Sequence, residues 1–284
     1  MRYFKSFLLV FLVFISLNLY AQSKYAVSIN YTPVLNTSDF ESVFGGKTGK
    51  KVKLDDQGLI REMEFIAMPN TVFDILETIP KEDYNIYKVT TNDYQYNGDF
   101  YIDSRFVRVD DSRLEDRWKI IPTKEEVIKN MNALDGYPYM WGGNAADGIS
   151  DMLTYYKPAG DIDEATKTNW TMKGVDCSGL IYQSTGGATP RNTSTLCIYG
   201  TGIDIENLTA DEISNKLQPL DIIVWSGHVI IVLDDKTVIE STPAEGVHKS
   251  DLLSRLNSVM NERRAVNDWA ATSGKRFVVR RWMQ

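Results

Sequence analysis

A capping box at Thr123-Lys-Glu-Glu126 divides this 284-residue chain into two textures, and that division constrains its fold more than any other feature. Threonine at the first position and glutamate three residues on satisfy N–H groups that a helix start leaves unpaired. Val127, Met131 and Leu134 follow at helical spacing until Gly136 and Pro138 stop the helix. Upstream, over 23–122, short alternating runs such as Thr71-Val-Phe-Asp-Ile-Leu76, Asn85-Ile-Tyr-Lys-Val89 and Phe100-Tyr-Ile102 are broken by Gly, Asn and Asp. That stretch reads as a small β-rich domain, and 123–284 as a second domain. Within the second, Asp176 to Ser184 reads as a short helix ended by Gly186-Gly187. Asp221–Trp225, His228–Leu233 and Thr237–Ser241 read as consecutive strands. Helix first and sheet later predicts an α+β architecture, without internal repeats.

The first 21 residues stand apart. Arg2 and Lys5 precede an apolar run from Phe7 to Ile15, and the stretch ends at Leu19-Tyr-Ala-Gln22, the order of a signal peptide and its small-residue cleavage site. The run is shorter than the roughly 20 apolar residues of a membrane-spanning helix, with an uncleaved anchor as the alternative. No cysteine lies near the cleavage site to carry a lipid. The expectation is an exported protein, periplasmic or extracellular, with no stable membrane insertion after cleavage. Its 31 basic against 38 acidic residues give a net charge of -7, and -9 once the segment is removed. Such a surface argues against a nucleic-acid partner.

Two cysteines and two histidines are too few for a zinc cluster or a disulfide scaffold, so any chemistry must use them singly. Cys177, between Asp176 and Ser178, falls at a helix start, where unpaired N–H groups and the helix dipole favour a thiolate. Cys197, between Leu196 and Ile198, reads as a small buried apolar residue. A disulfide between the two is the alternative in an exported protein. A cysteine nucleophile needs a base that later protonates the leaving amine, and imidazole suits both tasks. His228 opens a strand directly after Ser226-Gly227, whereas His248 lies in a Gly- and Lys-bearing turn region. Glu240 ends the next strand after the Asp234-Asp-Lys236 turn, and a hairpin of that length brings it beside His228.

Tyr137-Pro-Tyr-Met-Trp-Gly-Gly143, Val175-Asp-Cys-Ser-Gly-Leu180, Pro190-Arg191, Leu217-Gln-Pro-Leu-Asp221 and Gly227-His-Val-Ile-Ile-Val232 occur in a characteristic order. In that order and spacing the chain resembles, over about 124–282, the NlpC/P60 cysteine peptidases of bacterial cell walls. The resemblance implies a papain-like catalytic domain, a cysteine-bearing helix packed on an antiparallel sheet that carries the histidine. It makes Cys177 the nucleophile, His228 the general base and acid, and Glu240 the third polar residue, in a place where the family most often has histidine. A carboxylate there can accept the Nδ1 proton and stabilise imidazolium. Tyr139 matches a tyrosine that helps stabilise the oxyanion with the cysteine N–H. Asp176 and Ser178 match residues that bind a substrate's amino terminus, and Trp141 and Arg191 join them as implied substrate contacts.

Two departures accompany the match. Thirty-one residues separate Asn144 from Asp176, where the family has a short link. A lid or wall of the cleft is expected there, its acids Asp151, Asp161, Asp163 and Glu164 read as a solvated loop, with a cation site as the alternative. Leu220 also replaces the glycine common before the aspartate of the strand motif. Residues 66–108 resemble the bacterial SH3-like domains that accompany this family. The activity implied is hydrolysis of the γ-D-glutamyl to diamino-acid bond of murein peptides or peptidoglycan, with a free amino-terminal L-alanine required. It would be a monomer without metal or organic cofactor. The alternatives are an endopeptidase on intact wall, an amidase or acyltransferase using the same triad, and a non-catalytic wall-binding protein.

Overall fold

The computed structural model describes residues 24–283, so the expected signal peptide over 1–21 lies outside the described residues. The alternating runs of the first stretch pair into one antiparallel sheet. Its strands are β1 (Lys24–Ser28), β2 (Thr32–Leu35), β3 (Met63–Ala67), β4 (Val72–Pro80), β5 (Asn85–Thr90), β6 (Phe100–Asp103) and β7 (Val107–Asp110). The spatial order is β3-β2-β6-β5-β4-β1-β7. Phe65, Ile66, Phe73, Ile86 and Ile102 are fully buried in its core.

Helix α1 (Lys124–Ala133) begins as the capping box predicts. The Thr123 N–H donates to Glu126 Oε2 at 2.8 Å, and Thr123 Oγ1 accepts from the Glu126 N–H at 3.3 Å. Such a cap contributes about 1 kcal/mol.

The long segment between the two motifs is built into the first sheet's core. Its ends, β8 (Asn144–Ala145) and β9 (Gly174–Val175), pair antiparallel, and α2 (Glu164–Trp170) lies between them. Ile149, Met152, Tyr156, Trp170 and Met172 share one apolar cluster with Phe65, Phe73 and Ile102. The Trp170 indole donates to the Tyr156 carbonyl at 2.8 Å, and the Tyr156 hydroxyl donates to the buried Asp103 carboxylate at 2.6 Å. Of the four acids weighed as a cation site, Asp163 caps α2 through the Thr166 N–H at 2.7 Å. Among the described residues no three His, Cys, Asp or Glu side chains group to hold a metal ion.

The second sheet comprises β10 (Thr201–Ile203), β11 (Ile222–Trp225), β12 (His228–Val232), β13 (Thr237–Thr242), β14 (Gly246–Asp251), β15 (Arg264–Ala265) and β16 (Arg276–Arg281). The order is β10-β16-β11-β12-β13-β14, with β15 parallel to β16. Val224, Val229, Ile231 and Ile239 pack with α1 and with α3 (Cys177–Ser184). Ile223, Trp225, Ile230 and Val238 pack with Leu252, Leu256 and Val259 of α4 (Leu252–Glu262). Burial on both faces explains why these strands read as continuous apolar runs. Leu220, which enters β11, is 1% exposed and has φ +72°, the left-handed conformation that glycine adopts without cost. Here the buried leucine side chain offsets that strain.

Candidate active site

Asp176 sets the start of α3. Its Oδ1 accepts the Gly179 N–H at 2.6 Å, which caps the helix and makes Cys177 its first residue. The Asp176 N–H in turn donates to the Gly143 carbonyl at 3.0 Å. A Cβ on Gly179 would lie 1.9 Å from that same carbonyl oxygen, so only glycine lets the helix start rest on the Trp-Gly-Gly loop. The two motifs, 31 residues apart in the chain, thus form one structural unit.

Cys177 is 7% exposed, and its Sγ hydrogen bond runs to the Gly227 carbonyl at 3.9 Å, not to the His228 ring. Burial pushes the thiol up to about 12; the Asp176 charge adds to this, and the Val229 N–H, Arg191 and the Ser178 N–H oppose it. The resting thiol is therefore protonated. Its sulfur touches backbone on both sides of His228, which places it at the mouth of the β11–β12 turn.

His228 and Glu240 meet directly, with Nε2 2.6 Å from Oε2. The resemblance implies a contact at Nδ1. The structure uses the other nitrogen, which leaves Nδ1 free of the carboxylate. Glu240 is 1% exposed. Burial pushes its carboxyl up, but hydrogen bonds from Arg255 and then His228 outweigh it, and the pKa falls to about 2. Arg255 Nε lies 2.5 Å from Oε1 and Nη2 lies 2.9 Å from Oε2, a two-pronged grip. His248 is the cross-strand partner of Glu240, with Nε2 4.0 Å from Oε1.

A second buried network lies behind the helix start. Arg191, 4% exposed, donates to Asp176 at 2.9 and 2.7 Å, to Ser178 Oγ at 3.0 Å, to the Gly143 carbonyl at 3.1 Å and to Asn144 Oδ1 at 2.9 Å. Asn144 bonds both backbone groups of Ile66 on β3, accepting at 3.2 Å and donating at 2.8 Å. The network ties the first sheet to the start of α3. It also means that Asp176, read from sequence as a carboxylate awaiting a substrate ammonium, already has a full counter-charge. Tyr139 is half-buried beside Val175, and its hydroxyl is pushed up by burial, then by Asp176 and Cys177. Trp141 is 37% exposed, with the Arg61 guanidinium 4.2 Å above its ring.

The expected residues therefore fall into two contacting sets, His228 with Glu240 beside Arg255 of α4, and Asp176 with Ser178 and Arg191 at the start of α3. Cys177 meets the backbone on either side of His228 rather than its ring, and Tyr139 lies near Asp176 and Cys177. Both cysteines are free, and Cys197 is fully buried. Sequence reasoning missed Arg255 and Asn144. Asn144 directly follows a motif, but nothing local marks Arg255, a basic residue on an amphipathic helix.

The site is chemically a thiol held at a helix start, with an imidazole–carboxylate pair on the adjoining strands of an α+β fold. No protein-family model and no curated protein matches the chain. Among solved structures it is similar to an NlpC/P60 family protein from Bacillus cereus, at 15% identity and a TM-score of 0.35 over 93% of this chain and 64% of that one. It is also similar to NlpC2 and NlpC1 of Trichomonas vaginalis, at 12% and 13% identity and TM-scores of 0.32, covering 92% of this chain and 72% and 69% of theirs. The chain thus spans a little under two thirds of the Bacillus protein's length.

Proposed function

We propose that the protein is an exported cysteine peptidase of the NlpC/P60 type that hydrolyses the γ-D-glutamyl to diamino-acid bond of murein peptides. The observation that carries this reading is Cys177 at the first turn of α3, against the turn that leads into a His228–Glu240 pair at 2.6 Å. In the proposed reaction, substrate displaces the thiol from the Gly227 carbonyl, and His228 takes the thiol proton as sulfur attacks the scissile carbonyl carbon. The Cys177 N–H, left unused by the Asp176 cap, and the Tyr139 hydroxyl stabilise the oxyanion. His228 then protonates the departing amine, and water attacks the thioester to release the acid and restore the thiol. Glu240, held anionic, stabilises the imidazolium throughout.

The first sheet, which the reading assigns to an SH3-like domain, is tied to the helix start through Asn144, which supports reading it as a wall of the cleft. Because Arg191 already neutralises Asp176, that carboxylate is not free to bind a substrate ammonium, and the requirement for a free amino-terminal L-alanine is the part of the reading that the acetylated peptide tests. The deciding experiment incubates L-Ala-γ-D-Glu-diamino-acid peptides, free and N-acetylated, with the native protein and Cys177→Ala, and identifies products by mass spectrometry. Release of L-Ala-D-Glu by the native protein alone is expected. Cleavage at another amide would make it an amidase, equal cleavage of acetylated peptide and intact wall an endopeptidase, and peptidoglycan binding without products a wall-binding protein.

A further inference from the structure

Glu240 sits among more charge than a triad needs. His228 reaches it from β12, His248 from β14 and Arg255 from α4. Beyond them, Glu262 acts on Arg255, and Glu245 lies 3.6 Å from His248. Of these, only Arg255 grips both carboxylate oxygens. It does so from a helix anchored by the fully packed Leu252, Leu256 and Val259. A guanidinium fork fixes the plane of the carboxylate it binds, which a point charge does not.

We propose that Arg255 is a positioning residue of this site: its two-pronged grip on Glu240 keeps that carboxylate ionised and its Oε2 turned to His228 Nε2, so that Nδ1 remains the imidazole's proton acceptor. The inference rests on the reading that Cys177 and His228 react together. The chemical reason lies in the tautomer. An anionic Glu240 accepts the Nε2 proton, and the neutral ring then carries a lone pair on Nδ1 that can take the thiol proton. A protonated Glu240 donates to Nε2 instead, which puts the ring proton on Nδ1 and removes the base. Without Arg255, burial favours the protonated carboxyl, so the site loses its base as pH falls.

The test compares the native protein with Arg255→Met, Arg255→Lys, Glu240→Gln and the Glu240→Gln/Arg255→Met double variant. Iodoacetamide alkylation of Cys177 is followed by peptide mass spectrometry from about pH 5 to 9. Cys197 is the internal control, since unfolding would accelerate its alkylation. Arg255→Met is expected to slow Cys177 alkylation about tenfold at mildly acidic pH and move the profile to higher pH, with Arg255→Lys between it and the native protein. It is also expected to lower kcat on murein peptides with KM unchanged, and to add nothing in the Glu240→Gln background. Superimposable profiles for Arg255→Met and native protein, or full additivity with Glu240→Gln, would overturn the proposal. If the native protein cleaves no murein peptide while alkylation still depends on Arg255, the peptidase reading fails and the positioning role stands. If peptides are cleaved and Arg255→Met behaves as native, the reverse holds.

Discussion

Replacing Glu240 with glutamine should remove a pH-dependent part of the fold's stability that can be worked out from the site. The carboxyl falls from an ordinary 4.5 to about 2 in the folded chain, because Arg255 and His228 bind its anion in a place where burial alone would raise it. A depressed folded pKa favours folding wherever the unfolded chain still binds the proton more tightly. The contribution is therefore fully present above the unfolded value and is lost as pH drops toward the folded value. A drop of about 2.5 pH units corresponds to about 3 kcal/mol at neutral pH. Near pH 3 only about 1 to 1.5 kcal/mol of it survives, because the unfolded carboxyl is already protonated while the folded one is not. The measurement is urea unfolding of native and Glu240→Gln protein at neutral pH and near pH 3. Taking the difference at each pH cancels the carboxylates that the two proteins share. Glu240→Gln should be the less stable by about 3 kcal/mol at neutral pH, with the gap roughly halved in acid. A gap that stays constant, or widens as pH falls, would refute the argument that Glu240 is anionic and paired in the folded chain.

Cys177→Ala should abolish turnover while Cys197→Ala retains it and costs about 1 kcal/mol of stability as a small core truncation, measured by peptide hydrolysis and unfolding; equal loss in both would remove Cys177 from the nucleophile's role. Gly179→Ala should destabilise the chain by several kcal/mol and slow Cys177 alkylation, since its Cβ would meet the Gly143 carbonyl oxygen at 1.9 Å; native-like melting and alkylation would contradict that packing. Asp176→Asn should cost about 3 to 5 kcal/mol because it leaves the buried Arg191 charge without its partner, and a loss under about 1 kcal/mol would mean that the network is not a buried ion pair. Leu220→Gly relieves about 1 kcal/mol of left-handed strain but gives up a buried leucine worth about 2 kcal/mol or more, so unfolding should show net destabilisation.

Local chemistry made part of this protein legible in its sequence. The Thr123 capping box, the Asp176 cap with Cys177 behind it, and the β11–β13 strands depend on contacts between residues close in the chain. Such contacts close the same way in almost any surroundings. The His228–Glu240 contact belongs to the same class, because a short turn leaves two adjoining strands few ways to pair. The sequence pattern could not indicate which imidazole nitrogen Glu240 meets. Nor could it show that Asp176 is already held by Arg191, or that Arg255 grips Glu240 from a helix packed on the far face of the sheet. It suggests a lid or wall of the cleft for the segment from Ile149 to Met172, whose apolar side chains the fold builds into the first sheet's core. Each of these depends on side chains distant in sequence meeting in a low-dielectric interior, where one added guanidinium reverses what burial alone would do to a carboxylate. The residue types at the site follow from local pattern; their ionisation, orientation and counter-charges were decided only by the tertiary fold.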